Sequence, residues 1–107
     1  KMERDLTMTG IYGPTVRMVS SDTAQSFPAN VLANTDGEPS DSVIITCESN
    51  DIRIGWMTTP TQGASGVGHL LSSGDTFRIV GRDNILRFKF ISAVNGIHGV
   101  LQITPEY

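Results

Sequence analysis

Asp51-Ile-Arg-Ile-Gly-Trp-Met57 opens the stretch that decides the fold, and a Thr-, Pro-, Gly- and Ser-rich segment follows from Thr58 to Gly66. The stretch continues as Gly68-His-Leu-Leu71, Ser72-Ser-Gly-Asp75, Thr76-Phe-Arg-Ile-Val80, Gly81-Arg-Asp-Asn84 and Ile85-Leu-Arg-Phe-Lys-Phe-Ile-Ser-Ala93. Apolar residues recur at every second position: Ile52, Ile54 and Trp56, then Phe77 and Ile79, then Leu86, Phe88 and Phe90. A period of two puts alternate side chains on opposite faces of a pleated strand, so one face can meet a core. The breaks between runs are Gly, Asn, Asp, Ser and Pro, which form turns by distinct backbone mechanisms. The pattern predicts antiparallel β structure.

The same grammar extends outward. Thr15 to Ser20 is expected as a short strand with Val16, Met18 and Ser20 on one face. Thr23 to Asn34 could be a helix, but Pro28 in its middle lacks a backbone donor. An extended segment with Phe27, Val31 and Leu32 facing the core is therefore expected. Ser42 to Ser49 is rich in β-branched residues, and Asn50-Asp51 suits a tight hairpin turn into Ile52 to Met57. Ser72 to Asp75 turns Gly68–Leu71 back into Thr76–Val80, and Gly81 to Asn84 turns again into a strand from Ile85 to Ala93. Asn95-Gly96 is the strongest hairpin signal, with Ile97 to Thr104 expected beside Leu86 to Ser92.

About eight short strands spaced roughly 8–12 residues apart read as a sandwich or barrel. The expected fold is all-β: an antiparallel, jelly-roll-like β-sandwich. Residues 1–13 form an N-terminal arm or edge strand, and residues 14–107 a single domain. A chain of 107 residues suits one domain with a real core. Val43 to Cys47 and Ile85 to Ile91 read as apolar on both faces. A sandwich buries one face of each sheet, so such strands suggest contact with another subunit. No internal repeat is evident.

Charge and motifs narrow the chemistry. The net charge is -3 and Lys or Arg never occur in runs, unlike the basic stripe of a nucleic-acid binder. No apolar run is long enough for a transmembrane helix, and none has the layout of a signal peptide. No nucleic-acid or membrane partner and no cofactor are expected. Cys47, the single cysteine, lies in an apolar run and reads as a buried small hydrophobe. His69 and His98 lack metal-site spacing, so no metal is expected. Asp51, Asp75 and Asp83 fall at turns, which their side chains explain. Gly63-Ala-Ser-Gly-Val-Gly68 precedes a strand rather than a helix, unlike a phosphate cradle. A Walker loop, Gly-x-Ser-x-Gly, His-Glu-x-x-His and Cys-x-x-Cys are all missing, so no catalytic residues are assigned and no enzyme is expected.

Trp56 continues the Ile52 and Ile54 face and so belongs to the core. With Met57 it could instead anchor an interface, where both residue types are enriched. Tyr12 and Tyr107 could do the same, and Leu6 and Met8 alternate along one face of the arm. The candidate interface is thus Leu6, Met8, Tyr12, Trp56, Met57 and Tyr107.

One longer pattern runs through Ile52-Arg-Ile, Thr58-Thr-Pro-Thr61, Gly68-His-Leu-Leu71, Gly74-Asp75, Gly81 and Leu86-Arg-Phe-Lys-Phe-Ile91. It resembles a pattern in small virion proteins of tailed bacteriophages, over the chain from Val43 onward. That pattern has Asp-Gly before the Thr-Thr-Pro-Thr turn, where this chain has Trp56-Met57. The substitution of an apolar pair strengthens the interface reading of both residues. The resemblance implies a non-enzymatic decoration or cement protein, a homo-oligomer located in the virion, whose partners are capsid or other virion proteins. Assembly would take place in the host cytoplasm. The same class includes head–tail junction, tail and fibre components. A carbohydrate-binding module is a further reading, though aromatics make up only 7% of the chain, too few for a broad stacking platform.

Overall fold

A computed structural model describes residues 11–107. The described chain is mostly β. Its elements are β1 (Val16–Val19), α1 (Ala29–Leu32), β2 (Ser42–Ser49), β3 (Ile52–Gly55), β4 (His69–Leu71), β5 (Thr76–Val80), α2 (Arg82–Arg87), β6 (Lys89–Ser92) and β7 (Val100–Glu106). Four strands form one sheet in the order β1-β7-β2-β5, and three form a second in the order β4-β3-β6. Every pairing is antiparallel. Seven strands stand where about eight were expected.

Alternation works as anticipated on the inner faces. Val43, Ile45 and Cys47 of β2 join Leu101 and Ile103 of β7, Ile52 and Ile54 of β3, and Phe90 of β6 in one buried cluster. Phe88 lies at its middle. Its ring stacks on Phe27 at 4.7 Å between centroids and is approached edge-on by Trp56 at 5.8 Å. Such offset and edge-to-face contacts are the favoured aromatic geometries.

Three expected hairpins are corners instead. The Asn50-Asp51 turn links β2 to β3, Ser72–Asp75 links β4 to β5, and Ala93–Gly99 links β6 to β7; each passes from one sheet to the other. Asn50 supplies a left-handed backbone, φ 58°, for the first corner, as the turn reading required. However, the strands on either side belong to different sheets and do not lie side by side. The Val94↔Ile97 bridge closes the Asn95-Gly96 turn locally. Beyond it, β7 joins β1 and β2 while β6 joins β3. Among named strands next to each other in sequence, only β3 and β4 pair.

The expected strand from Ile85 to Ala93 also divides. Gly81, at φ 104°, starts α2, and the strand begins only at Lys89. Leu86, read as facing inward, is 47% exposed, while Ile85 and Phe88 are wholly buried. Their three-residue spacing is helical, and the coincidence of Leu86, Phe88 and Phe90 hid it. The two apolar faces of Ile85–Ile91 thus reflect a change of element. On β2 the outer face carries a single large apolar residue, the half-buried Ile44. Pro28 does not break a helix either. It sits at the N-cap of the single turn Ala29–Leu32, where a missing N–H costs nothing. Phe27 and Val31 are buried and Leu32 packs against the core, as expected.

The glycine-rich connection between β3 and β4 folds back on the molecule. Arg53 Nη1 donates to the Gly68 carbonyl at 3.1 Å and Nη2 to the Gly63 carbonyl at 3.2 Å. Gly63 N–H donates to Ala93 at 2.9 Å, and Pro60 is fully buried. A Cβ on Gly66 would collide with the Thr61 carbonyl and Arg53 Nε, so only glycine permits this close approach.

Candidate protein interface

The described residues of the expected interface fall in two groups, one at the end of β7 and one just after β3. Leu6 and Met8 lie outside the described residues. Of the N-terminal arm, 11–13 are described, and they run antiparallel to the end of β7. Ile11 N–H donates to the Tyr107 carbonyl at 3.3 Å, Tyr107 N–H to Ile11 at 2.9 Å, and Gly13 N–H to Pro105 at 2.8 Å. Tyr12 bridges to Glu106. The backbone is therefore tied to the sheet edge while the side chains point away. Ile11 is 74% exposed and Tyr12 54%.

Tyr107 is half-buried. Its ring packs against Gly13, and its hydroxyl donates to the Asn30 carbonyl at 3.3 Å. Beside it runs a mainly apolar groove walled by Pro14, Ala29, Ala33 and Thr35. Sequence reasoning missed this groove, because α1 was not expected and its alanines carry no functional signal. Val80, 62% exposed at the end of β5, lies across the sheet in the row Tyr12–Glu106–Ser42–Val80. Between the two apolar side chains the Glu106 carboxylate is buried and accepts the Ser42 hydroxyl.

Trp56 and Met57 follow β3. Trp56 lies half in the core, against Phe88, with its other edge toward His69 at 6.4 Å. Its buried indole N–H meets no acceptor among the described residues. Met57 points outward at 78% exposure, its sulfur accepting Arg87 Nη1 at 2.8 Å.

The polar side chains form small clusters at the corners. Ser20 and Ser92 hydroxyls lie 2.7 Å apart, Ser92 Oγ lies 2.8 Å from His98 Nδ1, and Gly99 N–H donates to Ser20 Oγ at 2.8 Å. A serine beside a histidine has the look of a nucleophile and base. Both hydroxyls are buried, however, Ser92 wholly so, and a substrate carbonyl cannot reach them. The relay ties the β6–β7 corner to the end of β1. His69 stands apart from it, against Trp56. Cys47 is wholly buried and its thiol donates to the Asn50 carbonyl at 3.0 Å. Burial, then the nearby Asp51 and Asp75 charges, push its pKa up to about 11, the reverse of an activated thiolate. The Gly96 N–H, then the Gln62 amide, hold the Asp22 carboxyl below the usual range. No group of three or more His, Cys, Asp or Glu among the described residues could hold a metal ion. No helix among them is long and apolar enough to cross a membrane.

Compared with known protein families, curated proteins and solved structures, the chain matches none.

Proposed function

We propose that this chain is a non-enzymatic structural protein of a tailed-phage virion, docking on the capsid as a decoration or cement protein. The observation that carries the reading is the segment 11–13, bridged to β7 at Tyr12. Its backbone is fixed along β7, yet it turns Ile11 and Tyr12 outward beside the Tyr107 groove. Aromatic and aliphatic anchors on a rigid strand, next to a concave apolar surface, suit a protein partner. Contacts made only in the assembled shell would stabilise it by mass action.

The reading includes a jelly-roll sandwich. The orders β1-β7-β2-β5 and β4-β3-β6 support it. So does Gln25, which exchanges both backbone hydrogen bonds with Phe90 on the open side of β6. That position fits a vestigial eighth strand and returns the count to the expected one.

The test is saturable binding of the purified chain to capsids lacking it, with electron microscopy locating the added density. Removing residues 1–13, or the single change Tyr12→Asp, should weaken capsid binding with little change in melting temperature. Density at the neck, tail or fibres would favour the other virion roles. Retention on polysaccharide without capsid binding would favour a carbohydrate-binding module.

A further inference from the structure

Asn95 is the one asparagine in the chain followed by glycine. The pair carries a chemistry beyond its turn role. A deprotonated Gly96 nitrogen can attack Cγ, the side-chain carbonyl carbon of Asn95. A Cγ–N bond forms, the Cγ–Nδ2 bond breaks, and a cyclic imide closes. The Gly96 proton goes to hydroxide, and the leaving nitrogen takes a proton from water and departs as ammonia. Water then opens the ring at either carbonyl and leaves aspartate or isoaspartate. Glycine favours the step because it has no side chain to screen its nitrogen. Val31, Thr35, Asp51 and Ile85 follow the other asparagines, and their side chains stand in the way.

The turn leaves the pair open to solvent. Val94, Asn95, Gly96 and Ile97 are all exposed, and the Ile97 N–H closes the turn on the Val94 carbonyl at 3.1 Å. Yet one carboxylate engages both reacting groups. The Gly96 N–H donates to Asp22 Oδ1 at 2.8 Å. The Asn95 amide, oriented with its nitrogen toward Asp22, donates to both carboxylate oxygens at 3.2 Å. The Gln62 amide steadies Asp22 at 2.9 Å. A negative charge beside the Gly96 nitrogen opposes loss of its proton, and a tethered amide is not free to turn Cγ onto that nitrogen. With its pKa below the ordinary value, Asp22 stays charged at the alkaline pH where the cyclisation runs.

We propose that Asn95 is a deamidation site held in check by Asp22, and that the modification, once made, opens the corner in which it sits. The product puts a carboxylate where the amide met Asp22, so two hydrogen bonds become a like-charge contact. Isoaspartate also adds a carbon to the backbone of the turn. Through Gln62 and Gly96, Asp22 ties the β3–β4 connection and the β6–β7 corner to the segment after β1. Repulsion at Asp22 therefore loosens all three. The site uses none of the candidate interface residues, and it stands whatever the chain docks on.

Incubating the full chain at pH 8, and following by mass the exchange of amide for acid in the tryptic peptide from Phe90 to Tyr107, tests this. That peptide holds no other asparagine. Asn95 should deamidate more slowly in the native chain than in guanidinium. Asp22→Ala, with unchanged circular dichroism, should raise the native rate about fivefold, the rate equivalent of one net hydrogen bond. Equal native and unfolded rates overturn the guarding role. So does a variant no faster than the parent; a slower one would mark Asp22 as a base that promotes the attack. Asn95→Asp supplies the product directly. At neutral pH its denaturant midpoint should fall below that of Asn95→Ala, and the gap should narrow in high salt. An aspartate variant as stable as the alanine one overturns the opening of the corner.

Discussion

Single residues on this scaffold are mostly occupied in holding corners. Cys47 is sealed in the core with its thiol on a carbonyl. It should therefore resist a thiol reagent such as Ellman's in the native protein at pH 8 and react stoichiometrically once unfolded. Rapid native labelling would refute the buried assignment. The Ser20–Ser92–His98 relay is equally closed. Ser92→Ala leaves the buried Ser20 hydroxyl short of a partner and should cost about 1–3 kcal/mol, read as a lower urea midpoint at unchanged slope. Asp22 carries a pH signature. Its folded pKa lies below the ordinary 3.8, so its bonds stabilise the corner above that value. That contribution is lost as pH falls through the lower folded value. The Gly96 amide resonance should titrate with a midpoint below 3.8; a midpoint at or above it would sever the proposed link to Asp22.

Elements show how far the sequence could be read. The inner faces of β3 and β5 were legible because a period of two needs only local information. The partners of those strands were not. A two-residue turn with Asn at φ 58° serves a hairpin and a corner alike, and the choice rests on which faces meet across the core. Helix α2 stayed hidden because a six-residue element gives less than two turns of periodicity, and Leu86 mimicked a strand residue. Residue type alone nominates Tyr12, Met57 and Tyr107 for the candidate interface, while the groove beside Tyr107 emerges only from the folded chain. The long connection between β3 and β4 is clamped by Arg53. Arg53→Ala should release it, and limited proteolysis should then cut between Thr58 and Gly68 while the sheets stay intact. A variant as resistant as the parent would argue that Pro60 and the Gly63–Ala93 bond suffice.

The whole molecule has one core fed by both sheets and both short helices. Phe88 touches Phe27, Trp56, Phe77 and Phe90, so Phe88→Ala should cost about 3–5 kcal/mol. Fluorescence of the single Trp56 and far-ultraviolet dichroism should then shift together, since neither sheet keeps a private core to survive on. Nearly every close turn leads away from its neighbour's sheet, so little structure can form before distant segments meet. Refolding after denaturant dilution should take milliseconds to seconds, as for other β topologies of this kind.

The central place of β7 has a consequence for biosynthesis. It lies between β1 and β2, although it follows all the other described strands in the chain. A nascent chain leaving the ribosome therefore carries β1 without its neighbour until residues 100–106 have been translated and cleared the exit tunnel. Unpaired strands are adhesive toward other strands. Crowded polysomes making this protein should thus depend on holding factors until β7 emerges, and messages stalled before Val100 should yield insoluble fragments.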